Sequence, residues 1–233
     1  IGNNMQRKYI EELKSGKVMI KGWVHEMRGL AKLKFLLIRD MTGMIQCVVK
    51  GEELMKIVDD LSLESVVEIS GEIKEAKVKA ENVRNDVELV VENIVVLNKA
   101  EKLPIHVNEK TINTDLSKRL DNRSLDVRKF EVAARFRIQS CIVNGFREFF
   151  VKERFMEIQP PAIIATSTEG GTDLFKIKYF EKDAYLAQSP QLYKQLMAIS
   201  LEKVFSTSAI WRAEKHDTTR HINEIRQLDI EVD

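Results

Sequence analysis

The chain has 233 residues, of which 44% are hydrophobic and 31% are charged, which is typical of a globular protein with an apolar core in one large or two ordinary domains. Its formal net charge is only +1, from 37 basic and 36 acidic side chains, so overall charge neither indicates nor excludes a nucleic-acid partner. No run reaches the roughly 18 apolar residues of a membrane-spanning helix, and we expect no membrane partner.

The cysteines and the N-terminus favour a cytoplasmic protein. Cys47 and Cys141 lie far apart, without CxxC spacing or a neighbouring His, and both fall in apolar runs. We therefore expect two free, buried thiols in a reducing cytosol. The N-terminus has no signal-peptide pattern, although a start at Ile1 rather than Met suggests that the first residues are missing.

Residues 1–98 are predicted to form a small β-barrel domain. Runs rich in Val, Ile, Phe and Trp at VMIKGWVHEM, KFLLIRD and MIQCVVK, with Gly between them, predict three strands. A helical spacing of apolar residues follows over residues 52–63, and strand-like runs return at SVVEISGEI and VELVVENIVVLN. Five strands with a helix after the third is the order of an OB barrel, a fold that commonly binds oligonucleotides.

This first domain carries side chains suited to RNA. Residues 1–50 hold ten Lys/Arg against four Asp/Glu, although ordinary solvated faces explain that excess equally well. Phe35 can stack on a base, Gln46 can hydrogen-bond to a base edge, and Arg28 with its basic neighbours can meet phosphates. The alternative is that Phe35 is simply a core residue.

A polar connector, residues 99–127, separates this barrel from a second domain, residues 128–233. Apolar residues at three- and four-residue spacing predict a long helix over about 129–152. The short strand FMEIQ, a Gly-rich loop, a strand pair around 176–186, a helix from about Pro190 and a closing hairpin follow. The second domain is therefore predicted to be α+β, with an antiparallel sheet flanked by helices.

The closing hairpin is a candidate anion site. We expect Arg212 and Glu214 at the end of one strand, on one face because strand side chains alternate, and Arg220 and His221 at the start of the return strand. An arginine fork suits phosphate or carboxylate oxygens, and a glutamate can accept from a base amine. The alternative is an ordinary surface ion pair.

Two further segments can hold a small ligand. In TSTEGGTDLF, glycines permit close backbone approach and Glu169 can bind an ammonium group. In LAQSPQLYKQ, Gln191 and Lys194 lie three apart at a helix start, so an amide and a cation share one face. The alternatives are a hairpin turn and a solvated helix start.

The order of these segments resembles the class II aminoacyl-tRNA synthetases, in particular the archaeal/eukaryotic type of aspartyl-tRNA synthetase. ERFMEIQPPAI is similar to motif 1 of that family, and IWRAE with TTRH is similar to motif 2. TEGGTDLF resembles the loop that closes over the amino acid, and YLAQSPQLYKQ resembles the amino-acid-binding helix. RLDNRSLDVR is similar to the hinge, and residues 22–49 resemble the anticodon-binding OB domain, so the match covers nearly the whole chain.

The resemblance implies an aspartate–tRNA ligase that uses ATP and Mg²⁺. It implies that Arg212 is the catalytic residue, which holds the α-phosphate of ATP and an aspartate carboxylate oxygen. The implied ATP site comprises Arg212, Ala213, Glu214, Arg220, His221 and Ile222. The implied L-aspartate site comprises Glu169, Gln191, Lys194 and Arg212. The implied anticodon contacts are Arg28, Phe35, Gln46 and Glu88.

The implied partners are tRNA(Asp), with tRNA(Asn) left open, and a second copy of the chain in a homodimer. Lys194 favours aspartate over asparagine, because a buried ammonium suits a β-carboxylate better than a neutral amide. The rival functions are an asparagine–tRNA ligase, a non-catalytic tRNA-binding relative and an ammonia-using ligase derived from the same fold.

The sequence departs from this family at its end. The family continues well beyond motif 2, with motif 3 and the acidic Mg²⁺ ligands, so no metal ligand is expected within this chain. Glu231, in the return strand, is expected near the site. We expect the chain alone to be inactive and the complete protein to form the adenylate.

Overall fold

The structure is a computed structural model, which describes residues 5–30, 33–109, 112–166, 173–216, 218 and 220–233. Glu169, the predicted ammonium-binding residue, lies outside the described residues. The chain forms two compact units, Ile1–Ala133 and Ala134–Asp233. Residues 99–127, predicted as a connector, fall within the first unit.

The first unit contains the predicted barrel. Its elements are β1 (Gly16–Leu30), β2 (Leu33–Arg39), β3 (Met44–Val49), α1 (Glu52–Asp59), β4 (Val66–Glu75) and β5 (Val87–Asn98), after a short 3₁₀ helix at Ile10–Glu12. The strands close in the order β1-β2-β3-β5-β4. The prediction of a five-stranded OB barrel with its helix after the third strand is therefore confirmed.

The barrel interior is formed by alternate residues of each strand. On β1, Val18, Ile20, Gly22 and Val24 are buried while the residues that alternate with them are partly exposed, as expected for a strand with one face in a core. At Gly71 the register of β4 shifts, and a Cβ atom there would lie 2.0 Å from the backbone oxygen of Val90. Glycine is required at this close approach, which helps the barrel to close.

The connector is held by buried ion pairs. It contains two short helices, α2 (Leu116–Asp121) and α3 (Arg123–Asp126). Asp126 is fully buried and accepts hydrogen bonds from Arg119 at 2.7 Å and from Arg123 at 2.5 Å. Burial by itself would raise the pKa of Asp126, but the hydrogen bond and charge of Arg119, with the charge of Arg123, outweigh burial and lower it.

In its described residues, the second unit has two small sheets and two helices. The helices are α4 (Phe130–Lys152), which begins in the first unit, and α5 (Gln191–Leu201). One sheet has the order β11-β10-β6, with β6 (Met156–Glu157), β10 (Lys203–Trp211) and β11 (Glu224–Val232). The other has the order β7-β9-β8, with β7 (Ile163–Ile164), β8 (Lys176–Tyr179) and β9 (Lys182–Leu186). The pairing of β6 with β10 is parallel and all other pairs of the unit are antiparallel.

Helix α4 buries only part of its predicted apolar stripe. Phe146 and Phe150 pack against Phe205 of β10, with ring centroids 5.7 and 6.0 Å away. The exposed members of the stripe are Ile138, Cys141, Ile142 and Phe149. The expectation of two buried thiols is thus confirmed for Cys47 and wrong for Cys141, because α4 turns a different side towards β10.

Candidate functional site

The four predicted RNA-binding residues lie on the outer face of the barrel. Phe35 of β2 lies opposite Arg28 of β1, and Gln46 of β3 donates a hydrogen bond from Nε2 to Oε2 of Glu88 of β5 at 3.0 Å. The residues that alternate with them and fill the core are Leu36, Cys47 and Leu89. Strand alternation therefore brings all four side chains to the same surface.

The hydrogen bond between Gln46 and Glu88 fixes the orientation of the Gln46 amide. One N–H points to the carboxylate, which leaves the amide oxygen and the second N–H for a base edge. Behind this pair, burial, together with the charge of Glu88, raises the pKa of the Cys47 thiol. Cys47 is therefore part of the core and not a reactive thiolate.

Arg28 is held by a neighbour that the sequence analysis did not consider. Its Nε and Nη2 donate to Oε1 and Oε2 of Glu26 at 2.7 and 3.0 Å, and this pairing raises the pKa of Arg28. The Arg28 side chain is 59% exposed, and exposed pairs of this kind are weak. A phosphate group can therefore compete with Glu26 for the guanidinium.

A second cluster on the first unit was also missed. The guanidinium groups of Arg39 and Arg128 lie 5.5 and 4.8 Å from the ring centroid of Trp23, and both donate to Oε2 of Glu64, at 2.9 and 2.8 Å. Glu64 is only 4% exposed. The cluster ties the segment after α3 to the barrel strands through one buried carboxylate.

In the second unit, Lys194 of α5 lies in a buried cluster with two carboxylates. Its Nζ is 2.8 Å from Oδ1 of Asp229 and 3.0 Å from Oε2 of Glu231, and it donates to the carbonyl of Ile230 at 3.4 Å. Burial by itself would lower the pKa of Lys194, but hydrogen bonds to Asp229 and Glu231 outweigh burial and raise it. With all three groups ionised, the cluster has a net charge of −1.

The start of α5 has the predicted polar character. The hydroxyl of Ser189 accepts a hydrogen bond from the backbone N–H of Gln191 at 3.0 Å, which satisfies one of the free donors at a helix start. Gln191 is half-buried and lies one turn before Lys194 and two turns before the buried Ala198. Gln191 and Lys194 therefore share the face of α5 that turns to the sheet.

Arg212 follows β10 directly and carries a buried side-chain donor. Its backbone N–H donates to the carbonyl of Asn223 at 3.0 Å. The side-chain Nε is buried and has no hydrogen-bond partner among the described residues. A buried donor without a partner costs about 1–3 kcal/mol, so this N–H is available to an acceptor that binds beside it.

The prediction that the polar hairpin residues lie on strands is wrong. Because β10 ends before Arg212 and β11 begins after Asn223, the pair Arg212 and Glu214 and the pair Arg220 and His221 all lie in the connecting loop. Strand alternation therefore does not apply to Arg212 and Glu214. All of the predicted ATP-binding residues nevertheless remain on one continuous loop.

Backbone hydrogen bonds outside the β10–β11 ladder explain why the strands stop early. The N–H of Ala213 donates to the carbonyl of Asp173 at 3.0 Å, which turns the chain away from the ladder. Further along, Thr218 and His221 form an isolated antiparallel bridge, with 2.7 Å between Oγ1 and Nδ1. His221 and Ile222 are exposed, so this end of the loop is open to a ligand.

Two absences hold for the described part of the chain. No cluster of three or more His, Cys, Asp or Glu side chains is placed there to hold a metal ion. Among the described residues, no helix has the length and hydrophobicity of a membrane-spanning segment.

Two family models match the chain. Residues 115–233, slightly more than half of the chain, match the family described as tRNA synthetases class II (D, K and N). Residues 18–97 match the OB-fold nucleic acid binding domain, which corresponds to the barrel.

Curated relatives match both parts together. The chain is 44% identical over 227 residues to the aspartate–tRNA(Asp/Asn) ligase of Archaeoglobus fulgidus, covering 95% of the chain and 52% of that protein. It is 46% identical over 228 residues to the aspartate–tRNA(Asp) ligase of Pyrococcus furiosus, covering 95% of the chain and 51% of that protein. The chain thus spans about half the length of the curated relatives it matches.

Solved structures share the same architecture. Asparaginyl-tRNA synthetase from Pyrococcus horikoshii, complexed with asparaginyl-adenylate, matches with a TM-score of 0.88 and 34% identity over 97% of this chain and 53% of that one. Aspartyl-tRNA synthetase from Entamoeba histolytica matches with a TM-score of 0.80 and 30% identity over 99% of this chain and 51% of that one.

Proposed function

The chain belongs to the class II tRNA synthetases of the D, K and N group, and we propose that it is the N-terminal half of an aspartate–tRNA ligase. Relatives that are 44% and 46% identical bear that name, which supports aspartate as the amino acid. The complete enzyme activates L-aspartate with ATP and transfers it to tRNA. The present half alone does not form the adenylate in this proposal.

The observation that carries the proposal is the buried Nε–H of Arg212, which has no acceptor within the described part of the chain. A buried guanidinium donor needs an acceptor, and Arg binds phosphate and carboxylate oxygens through a planar fork. Aspartate activation brings both kinds of oxygen to one point. Arg212 is therefore the proposed catalytic residue, which holds the α-phosphate of ATP together with a carboxylate oxygen of aspartate.

The chemistry requires no protein nucleophile. An oxygen of the substrate α-carboxylate attacks the α-phosphorus in line, the bond from that phosphorus to the bridging oxygen breaks, and pyrophosphate leaves. A hydroxyl of the terminal tRNA ribose then attacks the aspartyl carbonyl and AMP leaves. Arg212 contributes by aligning the reactants and by stabilising charge that develops on the α-phosphate.

The remaining loop residues are proposed to bind ATP. Glu214 is assigned to the adenine amine, and Arg220, His221 and the backbone at Ile222 are assigned to the phosphates, with Ala213 between the two groups. Bound Mg²⁺ would neutralise phosphate charge. Following the family resemblance, we assign its protein ligands to the part of the enzyme beyond this chain.

The aspartate site is proposed to include Glu169, Gln191 and Lys194. The charge of Lys194 is already compensated by Asp229 and Glu231, so Lys194 adds no net positive charge to the pocket. The preference for aspartate over asparagine is therefore not assigned to Lys194 alone. We therefore assign the compensation of the β-carboxylate charge to a further cation from the other half of the enzyme.

The outer face of the barrel is proposed to bind the anticodon of tRNA(Asp). Phe35 would stack on a base, Gln46 and Glu88 would form hydrogen bonds to a base edge, and Arg28 would bind the phosphate backbone of the RNA. Whether tRNA(Asn) is also charged is a separate question for the complete enzyme. We also propose a cytoplasmic homodimer, as implied by the family resemblance.

The test is ATP–pyrophosphate exchange by the complete enzyme, with aspartate and asparagine assayed separately and this chain as a control. Exchange driven by aspartate, and absent from the chain alone, is the expected result. Exchange driven by asparagine would make the protein an asparagine–tRNA ligase. No exchange with either amino acid, with tRNA binding retained, would leave a non-catalytic tRNA-binding relative.

A further inference from the structure

Strand β11 presents a polar face to α5. Gln227, Asp229 and Glu231 alternate with more exposed neighbours along β11, and α5 packs against β10 and β11. In the β10–β11 register Ser208 lies opposite Gln227, and Ser206 lies opposite Asp229. Directly opposed residues of an antiparallel pair share a face, so these side chains form one polar surface beside Lys194.

The two carboxylate oxygens of Asp229 have different partners on this surface. Oδ1 accepts a hydrogen bond from Nζ of Lys194 at 2.8 Å, and Oδ2 accepts one from Nε2 of Gln227 at 3.0 Å. A carboxylate held at both oxygens cannot turn without losing one of these bonds. Gln227 therefore restricts the orientation of Asp229, and Asp229 together with Glu231 holds the Lys194 ammonium in place.

Stability does not explain the polarity of this surface. Oε1 of Gln227 and the hydroxyl oxygens of Ser206 and Ser208 are buried and have no hydrogen-bond partner among the described residues. Buried polar atoms without partners destabilise a fold, so apolar side chains would be more favourable at these positions. The hydrogen bond that the Gln227 side chain does make goes to Asp229.

We propose that Gln227 is a positioning residue for amino-acid recognition, which orients Asp229 so that Lys194 is held where the head group of the substrate side chain binds. This inference rests on the aspartate site proposed above. Gln227 itself does not touch the substrate. Its loss therefore weakens the binding of aspartate, while turnover and the binding of ATP change little.

The test compares Gln227→Met with the wild type in ATP–pyrophosphate exchange by the complete enzyme. Methionine keeps the length of the side chain but removes the N–H and the unpaired oxygen. We expect the KM for aspartate to rise roughly tenfold, as for the loss of a hydrogen bond to a charged group, with kcat and the KM for ATP within about twofold. The thermal midpoint of unfolding should not fall, because a buried unpaired oxygen is removed.

Gln159→Met is the matched control. Gln159 also donates to a carboxylate two residues away, Oε1 of Glu157 at 3.3 Å, but it is exposed. Its substitution should leave every kinetic constant unchanged. Should Gln227→Met fail to fold, Gln227→Glu keeps the size of the side chain and removes the donor, and it should raise the KM for aspartate further through repulsion from Asp229.

The outcomes separate this inference from the proposed function. Aspartate-driven exchange by the wild type, with unchanged KM for aspartate in both Gln227 variants, would overturn the positioning role and leave the function intact. A fall in both kcat and the thermal midpoint of unfolding in Gln227→Met would indicate a structural role for Gln227. That result would also overturn the positioning role. A wild-type enzyme without exchange would refute both.

Discussion

Arg128 and Glu64 form an ion pair across 64 residues of sequence, with 2.8 Å between Nη1 and Oε2. Glu64 follows α1 of the barrel, whereas Arg128 follows α3 of the connector. The same carboxylate oxygen accepts from Arg39 of β2. A single buried carboxylate thus links the connector to the strand that also carries Phe35, the proposed base-stacking residue.

Substituting Glu64 by Gln is expected to destabilise the chain by roughly 2–3 kcal/mol. The substitution keeps the side-chain size but leaves two guanidinium groups without a counter-charge, and Arg39 is only 12% exposed. Breaking one partner of a buried pair is costly because the remaining charge is uncompensated. The measurement is urea unfolding followed by Trp23 fluorescence in a Trp211→Phe background.

Glu92→Gln is the control for Glu64→Gln. Glu92 pairs with Lys17 at 3.0 Å, but the two side chains are 45% and 65% exposed. Such a surface pair contributes no more than about 1 kcal/mol. If Glu64→Gln and Glu92→Gln lowered the free energy of unfolding by the same amount, the burial of Glu64 would have no energetic consequence.

Stability is expected to fall as the pH drops below about 6.5, through His25. Burial, and then the charge of Arg39, lower the pKa of His25 from its ordinary value of 6.5, and Arg39 lies 2.8 Å from Nδ1. The unfolded chain therefore takes up the proton first. The contribution of His25 is complete above pH 6.5 and is lost as the pH falls through the folded pKa.

The check is the free energy of unfolding measured from pH 7.5 to 5. His25→Gln should flatten the curve over this range, since glutamine does not titrate. His106→Gln, at an exposed histidine of the same unit, should leave the slope unchanged. If the free energy of unfolding of His25→Gln still fell with pH over this range, another titrating group would be responsible.

Local patterns were sufficient to predict the barrel but not the charge clusters. The period of two in VMIKGWVHEM and VELVVENIVVLN follows from burial of one strand face, so both the strands and the placement of Gln46 and Glu88 were predictable. The ion pairs of Lys194 with Asp229 and of Arg128 with Glu64 join residues 35 and 64 apart. Such pairs leave no periodic signal, because they depend on how distant elements pack.

The wrong predictions for Cys141 and for the hairpin also result from packing between distant elements. Cys141 was expected to be buried because it lies in an apolar stripe, but a stripe shows only that a helix has an apolar side, not which residues its neighbours cover. Arg212 and Glu214 were expected on a strand because apolar alternation precedes them. The hydrogen bond from Ala213 to Asp173, 40 residues earlier in the chain, ends that alternation.

Phe35→Ala is expected to weaken binding of an anticodon stem-loop of tRNA(Asp) to this chain by roughly 5- to 150-fold. This range corresponds to the loss of one base–aromatic stacking interaction, about 1–3 kcal/mol. Titration of a fluorescent RNA by anisotropy measures it. Phe180→Ala is the control, because Phe180 is 82% exposed and lies in the second unit, between β8 and β9. If the wild type and Phe35→Ala bound the RNA with equal affinity, the outer face of the barrel would not be the RNA-binding surface.

Arg212→Lys is expected to reduce kcat for aspartate-dependent pyrophosphate exchange by about 10²–10³ in the complete enzyme. Lysine keeps the positive charge but cannot present the planar fork or the buried Nε–H, which has no partner among the residues that the structure describes. The KM for ATP should change far less than kcat, because the interaction of Arg212 with the α-phosphate strengthens as the transition state forms. Arg226→Lys is the matched control, since Arg226 is 66% exposed and pairs with Glu224 at 3.1 Å. If both variants retained wild-type kcat, Arg212 would have no part in the chemical step and its buried donor would need another explanation.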